Sequence, residues 1–102
     1  MSRLEALHAM VQKDPTDALV HYMLANEYFD VGRYHECVSA IERYLGLAED
    51  EGAAYRTLAQ ALVQMGRVPE ARRAYEAGIR AAEKCAHPSM VEEFKETLKT
   101  LE

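Results

Sequence analysis

The sequence has few cysteines, no long apolar run and no excess of positive charge. Cys37 and Cys85 are the only cysteines, which is too few for a disulfide framework, so we expect reduced thiols and a cytoplasmic location. No apolar run approaches the ~20 residues of a membrane-spanning helix, so no membrane association is expected. The formal net charge of -5 disfavours nucleic-acid binding, which needs clustered Lys and Arg. Residues 1–11 mix charged and apolar side chains, unlike a secretory signal.

The residue patterns of common active sites are also absent from the sequence. It contains no Gly-rich phosphate loop, no nucleophile elbow and no pair of histidines spaced to bind a metal from one helix. We therefore predict that the protein is not an enzyme and that it needs no cofactor.

The strongest positive signal is a self-match at a spacing of 34 residues. A fixed period between ~20 and 50 residues is typical of a solenoid, in which each unit buries its apolar face against its neighbours. Identical pairs at this spacing include Leu24 and Leu58, Ala25 and Ala59, Gly32 and Gly66, Arg33 and Arg67, Glu36 and Glu70, Ala40 and Ala74, Glu42 and Glu76, Ala48 and Ala82, and Glu49 and Glu83.

Apolar residues recur with helical spacing between Gly and Pro residues, and no segment is typical of a strand. This pattern predicts six helices joined by short connections. The first ends at Lys13, and an N-cap for the second lies within Asp14–Asp17. We expect Gly32 and Gly66 to end the second and fourth helices in a left-handed conformation, and Ser89 with Glu92 to form a capping box for the sixth. The second to fifth helices are predicted at about Thr16–Val31, Tyr34–Leu47, Glu51–Met65 and Pro69–Cys85.

The two copies resemble the tetratricopeptide repeat family, whose 34-residue unit is a pair of antiparallel helices. That family has an aromatic-x-x-Leu-Gly-x-x-Tyr pattern in the first helix and Ala-x-x-x-Phe in the second. The matching residues here are His21, Leu24, Ala25, Tyr28, Cys37 and Ile41, then Tyr55, Leu58, Ala59, Leu62, Ala71 and Tyr75. The sequence departs from the pattern because it has no Trp and because Glu49 and Glu83 replace the closing proline. We expect the small residues 25, 37, 59 and 71 at the closest approaches between helices.

The resemblance implies an all-α fold, a right-handed superhelix of antiparallel helix pairs. We expect one domain over residues 1–102, with an N-terminal half-repeat helix at 1–14, repeats at 18–51 and 52–85, and a capping helix at 88–102. The apolar residues of the capping helix match the first helix of a repeat at a step of 36 rather than 34. The fifth helix is therefore predicted to be about two residues longer than its counterpart.

The resemblance also implies a protein–protein interaction module or scaffold, which binds a peptide segment of another protein in a concave groove. We expect the groove along the side of each first helix opposite its hairpin partner. The candidate groove residues are Leu19, Tyr22, Asn26, Phe29, Arg56, Gln60, Val63, Glu92 and Glu96. The acidic capping helix favours a basic or mixed segment over a terminal carboxylate. Alternatively, Tyr22 and Phe29 cover the inner turn and bind nothing.

Two other classes of function stay open. The chain can be a structural subunit that self-associates through exposed solenoid ends, forming a homo-oligomer. It can also be a metal or thiol sensor, because His35 and Cys37, and Cys85 and His87, form close His/Cys pairs. We expect no metal, since zinc needs four converging ligands and Cys37 is predicted to point away from His35.

Overall fold

The protein is described by a computed structural model that covers residues 2–101. Within those residues it forms six α-helices and no strand, which confirms the predicted all-α fold. The helices are α1 (Arg3–Lys13), α2 (Ala18–Asp30), α3 (Tyr34–Leu47), α4 (Ala53–Gln64), α5 (Val68–Lys84) and α6 (Pro88–Thr100). None of these helices is long and apolar enough to cross a bilayer.

The described chain divides into two compact units between Glu49 and Asp50. We call the unit containing α1 to α3 the N-terminal unit and the unit containing α4 to α6 the C-terminal unit. The predicted end of α1 and both ends of α3 agree with the structure. The predicted ends of α2, α4 and α5 differ from the observed ones by one or two residues. Helix α5 has 17 residues and α3 has 14, so the predicted extension of α5 is confirmed.

In the N-terminal unit, α2 packs against both α1 and α3. Ala25 and Cys37 are fully buried, in agreement with their predicted role as small residues. The Tyr28 hydroxyl lies 2.6 Å from His8 Nε2 and links α2 to α1. His21 is 2% exposed, and its Nε2 donates to the Pro15 carbonyl oxygen at 2.8 Å. A carbonyl can only accept, so this nitrogen carries the proton.

In the C-terminal unit, α5 packs against both α4 and α6. Ala59 and Ala71 are fully buried, as predicted, and so is the ring of Phe94. Small residues dominate this interior, which allows the helices to approach closely. Its other buried residues include Ala54, Ala61, Leu62, Ala74, Tyr75, Gly78, Ala82 and Val91.

Gly32 and Gly66 have φ angles of 79° and 75°, which confirms their predicted left-handed conformation. The residue after each glycine donates its N–H to a carbonyl five positions earlier, as in a Schellman motif. The same bond recurs after α5, where His87 N lies 2.8 Å from the Ala82 carbonyl oxygen. There the left-handed position is Ala86, with φ 58°.

The predicted capping box of α6 is wrong. His87 is the N-cap residue and makes no side-chain capping bond, while Pro88 occupies the first turn. Because the turn after Ala86 leads directly into Pro88, the helix has already begun before Ser89. A capping box is present instead at α1, between Ser2 and Glu5. The predicted N-cap of α2 is confirmed at Asp17, whose carboxylate accepts from Leu19 N at 3.1 Å.

Candidate partner-binding surfaces

One side of α2 carries the four candidate groove residues of the N-terminal unit. We call Leu19, Tyr22, Asn26 and Phe29 the α2 surface. Leu19 is 61% exposed, and the other three are half-buried. Their spacing of three or four positions aligns them along the helix. The structure therefore brings the four together as one continuous strip.

The two aromatic rings of the α2 surface contact α3. Tyr22 stacks on Tyr44 with ring centroids 4.9 Å apart, and Phe29 meets the ring of Tyr34 edge-on at 5.3 Å. The expectation that this strip lies opposite the hairpin partner is therefore wrong for Tyr22 and Phe29. Both residues lie three or four positions from buried Ala25, so they flank the contact face rather than oppose it.

The other two residues of the α2 surface, Asn26 and Leu19, have side-chain groups that are available to a ligand. The amide of Asn26 makes no hydrogen bond to any described residue, although it is half-buried. Leu19 is the most exposed of the large apolar side chains in the described chain. An apolar side chain beside a half-buried amide can supply both burial and directional hydrogen bonds to a bound segment.

In the C-terminal unit, Arg56 is committed to α6. Its Nε and a terminal nitrogen donate to the two carboxylate oxygens of Glu93, at 2.6 and 2.7 Å. Its guanidinium carbon lies 5.5 Å from the centroid of the Phe94 ring. The guanidinium of Arg56 therefore uses both its hydrogen-bond donors and its cationic plane in contacts within the unit.

The other candidate residues of the C-terminal unit differ in exposure and in whether their polar groups already have a partner. On α4, Gln60 is exposed and Val63 is half-buried, one and two turns beyond Arg56. On α6, Glu96 accepts from Lys99 Nζ at 3.4 Å, whereas exposed Glu92 has no ion-pair partner among the described residues. Gln60 and Glu92 are thus the candidates in this unit whose polar groups are open to a ligand.

The cysteines have contrasting environments. Cys37 is fully buried, and burial, reinforced by the charge of Asp30, raises its pKa to about 11. His35 on the same helix is exposed, as is Cys85. The fourth residue of the two His/Cys pairs, His87, has its Nε2 3.1 Å from Glu51 Oε2. Over residues 2–101, no group of three or more His, Cys, Asp or Glu side chains gathers to hold a metal.

The structure also contains a cavity that the sequence did not predict, although its lining includes Glu92, a candidate groove residue, and His87 of the second His/Cys pair. It has a volume of about 400 Å³ and lies where α5 turns into α6. We call it the α5–α6 cavity. Its lining consists of Ala82, Glu83, Ala86, His87, Pro88, Val91 and Glu92. The extension of α5 and the His-Pro break were the available signals, because together they separate the end of α5 from the start of α6.

Comparison with known proteins shows which family the chain belongs to. The family model described as "Anaphase-promoting complex, cyclosome, subunit 3" matches residues 2–78. The chain belongs to this family. It is a family of the tetratricopeptide-repeat type, which confirms the resemblance carried by the repeated motif. Among curated proteins, none matches the chain.

The solution structure of protein BPP2914 from Bordetella parapertussis has the same fold. The two are 22% identical, superpose with a TM-score of 0.82, and the match covers 98% of this chain and 87% of that chain. At this identity the likeness shows the fold alone. Families of the tetratricopeptide-repeat type are in general non-enzymatic modules for protein–protein interaction, so this family member has protein partners as its expected class of ligand.

Proposed function

We propose that this protein is an interaction module that binds a segment of a partner protein through the α2 surface. The observation that carries the proposal is the 61% exposure of Leu19 on the same side of α2 as the Tyr22–Tyr44 stack. Solvent-exposed leucine beside a partly covered aromatic pair has no role in the interior of the unit. Both kinds of side chain gain free energy when a partner covers them.

The geometry supports binding by a preorganised surface. Stacking on Tyr44 restricts the Tyr22 ring before any partner arrives, so little conformational entropy is lost on binding. Covering the exposed part of Leu19 contributes about 1–2 kcal/mol. The Asn26 amide then supplies a donor and an acceptor to the main chain of the segment.

The charge of the chain favours a basic or mixed segment. The formal net charge is -5, and Glu92 on α6 carries a carboxylate without an ion-pair partner in the described chain. Opposite charge on the partner speeds encounter and selects against acidic competitors. We further propose a cytoplasmic location, supported by two cysteines that are both free thiols.

The test is affinity capture from native lysate with a variant that leaves Tyr22 and Tyr44 unchanged. Leu19→Ser combined with Asn26→Ala removes the anchor and the amide without touching the aromatic stack. We expect at least a tenfold loss of captured partner, with the helical circular dichroism unchanged. Val31→Ser is the matched control, because Val31 is 52% exposed at the end of the same helix but outside the α2 surface. Undiminished capture by the double variant would contradict the proposal.

The C-terminal unit is tested separately with Gln60→Ala and Glu96→Gln. Gln60 is exposed, and within the described part of the chain Glu96 pairs with exposed Lys99 alone. We expect each change to weaken capture by a few-fold if its unit also contacts the partner. Arg56 is unsuitable for this test, because changing it removes the bidentate contact with Glu93 and alters the unit itself.

Self-association is the second candidate function, favoured by Met10. This side chain is 45% exposed on α1, the first helix of the chain. If a second copy covers it, light scattering at micromolar concentration gives a dimer, and Met10→Lys returns the protein to a monomer. A monomer in the unchanged protein would contradict self-association.

A further inference from the structure

The α5–α6 cavity is lined by apolar residues, two glutamates and the imidazole of His87. Ala82, Ala86, Pro88 and Val91 supply the apolar surface. A volume of about 400 Å³ lies within the range of cavities that hold ligands, ~300–1,000 Å³. The cavity belongs entirely to the C-terminal unit, since its lining comes from the end of α5, the start of α6 and the turn between them.

The two carboxylates of the cavity differ from their neighbours. Glu83 and Glu92 are both exposed, and neither carboxylate has an ion pair or hydrogen bond within the described residues. Nearby Glu93 is paired with Arg56, and Glu51 lies 3.1 Å from His87. The negative charge around the cavity is therefore concentrated on two groups that the unit itself does not compensate.

We infer that the α5–α6 cavity receives an arginine side chain from a segment of a partner protein. The methylene groups of an arginine suit the alanine, proline and valine lining, while its cation meets the carboxylates of Glu83 and Glu92. A purely apolar occupant would desolvate these carboxylates without pairing them, and an anionic one would be repelled. Lysine has the same charge but lacks the fork that can engage two carboxylates.

This inference rests on the proposed function, because it assigns a second contact to the same kind of partner. It uses no residue of the α2 surface. The two proposals therefore fail separately: capture can depend on Leu19 and Asn26 while the cavity binds no arginine, and the reverse outcome is equally measurable.

The test uses blocked nonapeptides of sequence Ala-Ser-Ala-Leu-Arg-Leu-Ala-Ser-Ala, titrated into isotopically labelled protein at low ionic strength and followed by amide chemical shifts. A second peptide carries citrulline, an uncharged isostere, in place of arginine. A third carries an arginine analogue shortened by two methylene groups. We expect shifts centred on residues 82–92 and binding of the arginine peptide about fivefold tighter than that of the citrulline peptide. The shortened analogue should bind about tenfold more weakly than arginine.

Two protein variants test whether the preference for arginine over citrulline arises at the α5–α6 cavity. Glu83→Gln with Glu92→Gln should bind the arginine and citrulline peptides equally. Glu42→Gln with Glu76→Gln is the matched control: it makes the same change in net charge at exposed positions away from the cavity, and it should keep the fivefold preference.

Several results would overturn the inference. These are equal binding of the arginine and citrulline peptides, a preference that survives in the Glu83→Gln, Glu92→Gln variant, shifts centred outside residues 82–92, or no binding at millimolar peptide. Self-association of the unchanged protein that this variant abolishes would also overturn it, because the occupant would then be a second copy of the chain.

Discussion

The ring of Phe94 on α6 packs directly on the backbone of Gly78 on α5. A methyl group placed on Gly78 would lie 2.7 Å from Phe94 Cε2 and 3.0 Å from Tyr55 Cβ. Glycine inside a helix is about 0.5–1 kcal/mol less favourable than alanine. Here the missing side chain allows the largest fully buried residue of the described chain to reach the α5 backbone.

Gly78→Ala should lower the free energy of unfolding by about 1 kcal/mol. Overpacking costs ~1–3 kcal/mol, which exceeds the gain in helix propensity. Urea denaturation measures the change. Gly46→Ala is the control, since Gly46 is also helical and a methyl group there meets nothing within 4 Å; it should raise stability by about 0.5 kcal/mol. A Gly78→Ala protein as stable as the Gly46→Ala protein would contradict the contact.

In the turn after α5, replacing an alanine by glycine should stabilise the protein. Ala86 has φ 58°, a left-handed conformation that costs an L-residue roughly 1–2 kcal/mol. Ala86→Gly should raise the free energy of unfolding by about 0.5 kcal/mol, because the relief of strain exceeds the added flexibility of the unfolded chain. Gly66→Ala creates the same strain in open space and should lower it by about 1 kcal/mol. Thermal unfolding of the two variants would show opposite shifts, and shifts of the same sign would be inconsistent with this account.

The repeat and the helices could be predicted because their signals are local. The period of 34 residues places Gly32 and Gly66 at equivalent helix ends, and the motif assigns Cys37 to the interior. Such a glycine ends its helix through hydrogen bonds within the last turn, so its conformation depends on residues close in sequence. The error at Ser89 has the same origin, because the capping rule considers three residues ahead and ignores the turn that ends at His87.

The side-chain pairs of the candidate surfaces could not be predicted in the same way. Arg56 and Glu93 are 37 residues apart, a separation that no multiple of the repeat produces. The Tyr22–Tyr44 stack depends on how far each ring leans from its own helix, which the helical period leaves undetermined. Both pairs decide which groups are free to bind, so the choice of contact residues needed the structure.

The repeated Arg-x-x-Glu sequence has a structural role that predicts a pH dependence. Arg33 bonds Glu36, and Arg67 bonds Glu70, at the starts of α3 and α5. These hydrogen bonds hold the pKa of both glutamates below the usual 4.5. A carboxyl whose pKa is lowered by folding stabilises the protein above its unfolded pKa, and this contribution is lost as pH falls through the folded pKa.

Glu36→Gln combined with Glu70→Gln should therefore be less stable than the unchanged protein at pH 7. The difference in free energy of unfolding between the two proteins should decrease below about pH 4.5 and disappear once the carboxylates of the unchanged protein are protonated. Urea midpoints measured from pH 7 to pH 3 follow it. Glu42→Gln with Glu76→Gln changes another repeated pair of glutamates, and these are exposed and have no partner among residues 2–101. A loss of stability of the same size and pH dependence in this control would rule out the Arg–Glu pairs as the cause.

The two thiols should differ sharply in reactivity, which bears on whether the cysteines act as a sensor. Cys85 is exposed, whereas Cys37 is fully buried with its pKa raised to about 11 by burial. At pH 7 roughly one Cys37 in ten thousand is then a thiolate, the form that reacts. We expect N-ethylmaleimide to modify one cysteine per native chain and two in urea, as measured by intact mass. Cys85→Ser should remove the fast reaction entirely. Rapid modification of Cys37 in the native Cys85→Ser protein would mean that the α2–α3 interior opens readily, and the thiol-sensor alternative would gain its first physical support.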